Sequence, residues 1–291
     1  MEYISITNEV KLAQYFEYCG IDDIMVDLEI IGKKERQKGL NTVISAHSIE
    51  DIDKIKKCLT KSKCLVRINP MYEGTENEIE ESIARKADII MLPMFKTVEE
   101  VEIFVELVGE RAMKYLLLET PQALVRVDDI LDVDGIDAVH IGLNDLSIGM
   151  GLDFLYEPLI GGIIEYLCQK IAHKKIKYGF GGVSRLEKGK LILSEHFRLG
   201  SKMVIINRDF RKYKDTYEEV IKEIDMKEEI NKINSYLESL IDAGEYELEQ
   251  NRLQLKADIQ KQIKTMFKFL FGQLLLYLAK TNKPSTNKTY I

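Results

Sequence analysis

Between residues 20 and 210, short apolar runs alternate with longer stretches whose apolar positions recur every three or four residues. The runs fall at 23–28 (DIMVDL), 41–45 (NTVIS), 63–68 (KCLVRI), 88–92 (DIIML), 114–119 (KYLLLE), 137–141 (DAVHI), 177–181 (KYGFG) and 202–206 (KMVII). Each is near-continuously apolar over about five residues, which predicts parallel strands buried on both faces. The intervening spacing predicts helices, as in Ile49, Ile52, Ile55 and Leu59, or Val98, Val101, Phe104, Val105 and Val108. Start signals sit where such helices would begin: Ser48-x-x-Asp51, Thr75-x-x-Glu78 and Thr97-x-x-Glu100 read as capping boxes. Thr120-Pro121 puts a cap residue before a proline at the first helical position.

Strands and helices alternating eight times predict a (β/α)₈ TIM barrel over residues 1–212. The rival, a doubly wound open sheet, lacks its usual signals, because no GxGxxG follows the first run and no GxxxxGK[ST] occurs. After Asn207 the composition changes. Residues 213–243 read as one charged amphipathic helix stopped by Ala243-Gly244, and 246–280 as a second. The expected organisation is therefore a barrel, a C-terminal helical extension over 213–280 and a polar tail over 281–291. A barrel needs one helix after its last strand, so the extra helices should bury their stripe on the barrel or, as the favoured reading, on a sister subunit, making a homo-oligomer.

Composition narrows the function. Apolar residues make up 45% and charged residues 31%, with a net charge of −7, which suits a soluble globular protein and not a nucleic-acid-tracking surface. The longest apolar stretch, Met266–Leu278, is interrupted by Lys268 and Gln273, so no membrane span is expected. The four cysteines form no CxxC pair and no secretory leader is evident, giving the expectation of a cytoplasmic, reduced chain.

In this fold the chemistry belongs to the C-terminal ends of the strands. The polar residues there are Asp27, Glu29, His47, Arg67, Asn69, Glu119, Asp145, Asn207 and Arg208. Acids with one arginine suit a hard cation such as Mg²⁺, Mn²⁺ or Co²⁺ held by Glu119 and Asp145, with a 2-keto acid supplying further oxygens. Arg67 would face the keto oxygen as it gains charge. The loop from Gly142 to Asp145, with Asn144, permits close backbone approach to a substrate carboxylate. His140, within a strand, reads as a core histidine, and His173 and His196 as surface groups on helices. Lys33, Lys34, Arg36 and Lys38 read as a solvated basic loop, or as a binder of an anionic substrate.

LLLETP at 116–121, HIGLNDLS at 140–147, VRIN at 66–69, VDLE at 26–29 and MLPM at 91–94 together resemble the HpcH/HpaI aldolase and citrate lyase β-subunit family. The resemblance implies a pyruvate-binding barrel and a metal-dependent carbon–carbon lyase acting on small keto acid and aldehyde substrates. It implies metal ligation by Glu119 and Asp145, enolate stabilisation by Arg67, first-strand acids at Asp27 and Glu29, and substrate contact at Pro93, Gly142 and Asn144. One departure stands out. The aldolase branch has a histidine directly after the first-strand Glu, and this chain has Ile30. His47 is the expected substitute, histidine having the best-placed ordinary pKa. The Asp-Leu-Glu form is closer to the citrate lyase branch, so cleavage of a coenzyme A thioester and non-catalytic binding of a keto acid or anionic sugar remain alternatives.

Overall fold

The computed structural model describes residues 1–36 and 46–281. Eight parallel strands close into a barrel in sequence order. They are β1 (Glu2–Ile6), β2 (Asp23–Asp27), β3 (Lys63–Arg67), β4 (Ile89–Leu92), β5 (Met113–Leu118), β6 (Ala138–Ile141), β7 (Lys177–Val183) and β8 (Met203–Ile206). Seven match apolar runs. The eighth stave is β1, EYISI, outside the 20–210 stretch and broken by Glu2 and Ser5; it pairs with β2 on one side and β8 on the other. The run at 41–45 lies outside the described residues, and β2 pairs directly with β3.

The helices are α1 (Val10–Cys19), α2 (Lys33–Arg36), α3 (Glu50–Cys58), α4 (Thr75–Ala84), α5 (Val98–Val108), α6 (Pro121–Val125) and α7 (Val127–Leu131). They continue as α8 (Leu143–Gly149), α9 (Glu157–Ile160), α10 (Ile163–His173), α11 (Leu186–Arg198), α12 (Tyr217–Glu223), α13 (Met226–Ser239) and α14 (Glu245–Thr281). Thr97 and Glu100 form the full capping box at α5, and Thr120 caps α6 ahead of Pro121. Ser48 and Asp51 form half of one, Ser48 N–H donating to the Asp51 carboxylate at 3.0 Å. Thr75 and Glu78 do not form one. The Glu78 carboxylate is drawn to Asn69, accepting from its N–H at 3.2 Å and its Nδ2 at 2.8 Å.

Two apolar layers fix the orientation of every strand. Met25, Leu65, Met91, Tyr115, Leu117 and Met203 belong to the cluster that fills the cylinder. Their neighbours Ile24, Val26, Val66, Ile90, Leu116 and Val139 belong to the layer between strands and helices. Side chains alternate along a strand, so Asp27, Arg67, Glu119 and His140, two residues beyond interior positions, also face inward. At β7 the barrel wall is tight. A Cβ on Gly179 would lie 1.9 Å from the Met203 carbonyl oxygen, so only glycine fits.

The segment after the barrel does not form one helix over 213–243. Ile224 is extended and the Asp225 carboxylate accepts from Glu228 N–H, starting α13 afresh. Met226, Ile230 and Ile233 bury against the barrel's own α1 and α11, and Leu255 and Ile259 of α14 are buried where that helix meets α9 and α11. Each such side chain contributes about 1.5–3 kcal/mol, enough to make this region part of the folded unit. Tyr3 Oη donates to Asn234 Oδ1 at 2.6 Å, tying α13 to β1. Among the described residues no helix is long and apolar enough to cross a membrane.

Candidate active site

A cavity of about 880 Å³ opens at the C-terminal ends of the strands. Its walls include Asp27, Lys33, His47, Arg67, Glu119, His140, Gly142, Asn144 and Asp145. Two expected residues do not line it. Glu29 is buried among cations, and Pro93 is buried just before a left-handed turn at Met94 (φ 55°).

Asp27 and Arg67 end adjacent strands in register, so their side chains meet inside the barrel. Arg67 donates from Nε to Asp27 Oδ1 and from Nη2 to Oδ2, both at 2.8 Å, a two-pronged fork. Lys33 Nζ adds a third bond to Oδ2 at 2.9 Å. Burial alone would raise the Asp27 pKa; Arg67 and then Lys33 overcome it and hold the carboxyl well below its usual range. Burial alone would lower the Arg67 pKa, but Asp27 and Glu29 lift it instead, so the guanidinium stays charged.

Lys33 and Arg36, expected in a solvated loop after β2, are instead paired with acids. Lys33 is buried and also lies 3.4 Å from Glu29 Oε2. Arg36 pairs with Glu29 and reaches Asp145 Oδ1 from Nε at 3.4 Å. The segment is anchored by Asn69, whose Oδ1 accepts from Ile30 N–H at 2.9 Å and Ile31 N–H at 3.0 Å. Lys38 lies outside the described residues.

Glu119 and Asp145 differ from this neutralised cluster. Glu119 is buried, and its Oε1 has no hydrogen-bond partner among the described residues. Burial, then Asp145, then Glu29 push its pKa well above the usual carboxylate range. Gly142 makes room for it: a Cβ there would sit 2.6 Å from Glu119 Oε2. The Gly142 N–H is already committed to Leu118 O at 2.9 Å, so this glycine supplies space and not a donor. Asp145 lies in the first turn of α8, where the helix dipole favours an acid.

The two histidines on the wall are in complementary states. His47 Nδ1 accepts from Asp27 N–H at 2.9 Å, so its ring proton sits on Nε2, and burial lowers its pKa. His140 Nε2 lies 2.9 Å from Gly181 O and must donate to it, leaving Nδ1 unprotonated, buried and without a partner. Burial, against the pull of the Gly181 bond, pushes His140 down to about 4. The expected core position of His140 holds, since it is buried and bonded to Gly181 O, but it also lines the cavity. The missed signal was its phase, since it follows the interior Ala138 by two and pairs in register with Leu117. His196, expected on the surface, is fully buried, stacks on Phe180 with centroids 3.9 Å apart and shares a 2.9 Å hydrogen bond with Ser201.

The donor set fits a divalent cation. Glu119 Oε1 is an orphaned buried oxygen beside a second acid, and such atoms ordinarily have partners. In this cluster, among the described residues, the carboxylates of Asp27, Glu29 and Asp145 are met by Lys33, Arg36 and Arg67, while Glu119 lies beside Asp145. Among the described residues no three His, Cys, Asp or Glu side chains gather within ligating reach. Protein ligation would thus come from two carboxylates, with substrate and water completing the shell.

The family model described as HpcH/HpaI aldolase/citrate lyase matches residues 3–157. A hydroxypyruvate/pyruvate aldolase of Rhizorhabdus wittichii is 37% identical over 65 residues, covering 22% of this chain and 24% of that protein. The chain thus matches about a quarter of that curated relative's length. Among solved structures, the HpcH/HpaI aldolase from Desulfitobacterium hafniense aligns with a TM-score of 0.57 at 17% identity, covering 77% of this chain and 93% of that one. The citrate lyase beta subunit from M. tuberculosis, complexed with oxaloacetate and magnesium, aligns with a TM-score of 0.54 at 15% identity, covering 72% and 92%. At these identities the structural likenesses speak for the fold.

Proposed function

The chain belongs to the HpcH/HpaI aldolase/citrate lyase family, and from that premise we propose that it is a divalent-metal-dependent carbon–carbon lyase of the aldolase type, cleaving a 2-keto hydroxy acid through a pyruvate-like enolate. The observation that carries this reading is the partnerless, buried Glu119 carboxylate beside Asp145 in the wall of a cavity.

Glu119 and Asp145 would hold Mg²⁺, Mn²⁺ or Co²⁺, which when bound supplies Lewis-acid polarisation of a keto oxygen. Arg67 is positioned before substrate arrives. Its bonds to Asp27 use Nε and Nη2, so Nη1 is the nitrogen it can offer to the oxygen on which charge develops. Asn144 lines the cavity next to Asp145 and offers amide hydrogens to a substrate carboxylate.

In the cleavage direction the substrate hydroxyl loses its proton and the adjacent carbon–carbon bond breaks. The bonding pair passes to the enolate, and an aldehyde leaves. The enolate carbon then takes a proton to give the keto acid. Asp27 is a poor acceptor for the first proton because three hydrogen bonds from cations hold it ionised. His47 offers a proton from Nε2, its Nδ1 lone pair being engaged. His140 keeps an unprotonated, buried Nδ1, but a pKa pushed down to about 4 makes it, like Asp27, a weak acceptor.

Calorimetry with Mn²⁺ and oxalate tests the reading. Oxalate should bind only with the metal present, and Glu119→Gln should abolish that binding. Deuterium exchange at the pyruvate methyl group should require the same metal. Oxalate binding indifferent to both chelator and Glu119→Gln would overturn the proposal. Acetyl-CoA as co-substrate in the exchange assay separates the aldolase from the thioester reaction.

A further inference from the structure

The cavity is far larger than a three-carbon keto acid requires; about 300–1,000 Å³ ordinarily houses a much bigger ligand. The wall that follows β8 carries two arginines. Asn207 follows β8 and leads into the single 3₁₀ turn Arg208–Arg211, and both arginines line the cavity. Arg211 is only 6% exposed, and a buried guanidinium demands a counter-charge. What it has is shared. Its Nη2 lies 3.1 Å from Asp215 Oδ1, and the same carboxylate also takes Arg208. The Asp215 side chain is 58% exposed, so its charge is well screened by water. Among the described residues, two guanidiniums therefore divide one solvated carboxylate. The other cations of the mouth, Lys33, Arg36 and Arg67, are each committed to buried acids.

Asp209, on the same turn, adds a second feature. Its Oδ2 accepts from Ser184 Oγ at 2.6 Å, while Oδ1 is buried and has no partner. Such an oxygen is an acceptor waiting for a hydroxyl donor. The chain reverses at Lys212 (φ 52°) and Tyr213 (φ 61°), both left-handed, before returning to Asp215. The region thus places a paired-arginine oxyanion site next to a hydroxyl acceptor, on the side of the barrel formed by β7 and β8. Phosphate sites of this fold often lie there. A phosphate monoester carries about −1.5 to −2 charges at neutral pH, a better match for two arginines than a second carboxylate.

We propose that the aldehyde partner of the reaction is a hydroxylated aldehyde phosphate, its phosphate bound by Arg208 and Arg211 and a hydroxyl bound by Asp209. This rests on the aldolase reading above, and it names the substrate class for the half of the cavity that a keto acid leaves empty.

The test has an arm that does not depend on turnover. Inorganic phosphate is titrated calorimetrically into the wild-type chain without metal or keto acid, and into Arg211→Met and Arg208→Met. Each substitution should weaken binding by about 10–100-fold, the worth of a charged hydrogen bond, and Arg211→Lys should recover part of it. Arg208, the more exposed of the two, keeps the test informative if Arg211→Met fails to fold. The second arm compares glyceraldehyde 3-phosphate, glyceraldehyde and succinic semialdehyde as acceptors with pyruvate. The phosphate ester should be favoured by kcat/KM, and Arg208→Met should erase that preference through KM. Absent phosphate binding in the wild type, or binding indifferent to both arginines, overturns the site. Equal use of the phosphorylated and free aldehydes overturns the substrate class while leaving the aldolase reading intact. Should no aldehyde react at all, the aldolase reading and the named substrate class fail together, and the phosphate titration alone decides the site.

Discussion

Asp23 and Asp27 stand on one strand, four residues apart, with side chains on the same inward face. Both are buried, yet they are driven in opposite directions. Asp27, at the cavity end, takes bonds from Arg67 and Lys33 and is held ionised. Asp23, at the sealed end, has no partner on either oxygen; burial, only partly opposed by Lys63, pushes it up to about 7. Burial alone does not set the state of a carboxyl; the number of donors reaching it does. Glu119 combines the two cases. It is orphaned like Asp23 but lies in the cavity with a second acid alongside. An orphan sealed in a core holds its proton more tightly, and an orphan facing a cavity beside another acid is where, on the function proposed above, a cation would bind.

The sharpest way to break this contrast is to neutralise each orphan. Glu119→Gln should lower kcat by about 10³-fold or more, since it removes the ligand proposed for a metal worth several kcal/mol at the transition state. Asp23→Asn should leave kcat within about twofold, because a fully buried acid near pKa 7 contributes no ligand to the cavity. Equal losses in a steady-state assay of pyruvate release would erase the distinction. Next in size is Arg67→Met. It strips the fork from Asp27, and leaving a buried charge underpaired costs about 3–5 kcal/mol of stability, readable by urea unfolding. Asp27→Asn in the same chain should recover part of that loss, as the stranded charge disappears with it.

The smallest effect is in pH. Asp23 is raised in the folded state, so that state holds the proton more tightly, and its contribution is full below the unfolded value near 4 and is lost as pH climbs toward about 7. Asp27 is depressed, so its contribution stands above about 4 and is lost only as pH falls further, through its folded value. Thermal unfolding of the metal-free chain at pH 5 and 7.5 should therefore show a decline that Asp23→Asn reduces and Asp27→Asn does not.

Much of the barrel was legible because buried parallel strands are apolar on both faces, and β2 to β8 are. β1 was not, because its Glu2 and Ser5 break the run and its place is fixed by pairing with β8 far along the chain. The helical break at Ile224 was hidden because the apolar stripe continues through it; the Asp225 cap decides. At the site, Asp27, Arg67, Glu119 and Asp145 could be read from their places at strand ends. The roles of Lys33 and Arg36 could not, since a run of basic residues reads as solvated until the acids it folds onto are known. Nor could the committed N–H of Gly142 or the open Nδ1 of His140, both set by tertiary hydrogen bonds.

The seam between β1 and β8 joins Glu2 to Met203 and Tyr3 to Val204. On the ribosome, an early stave must wait with one edge bare until some two hundred further residues have emerged. Such distant pairing is slow and leaves an aggregation-prone edge exposed meanwhile. Chaperone demand during synthesis should therefore centre on that single late closure, and a circular permutant opened elsewhere would shift it.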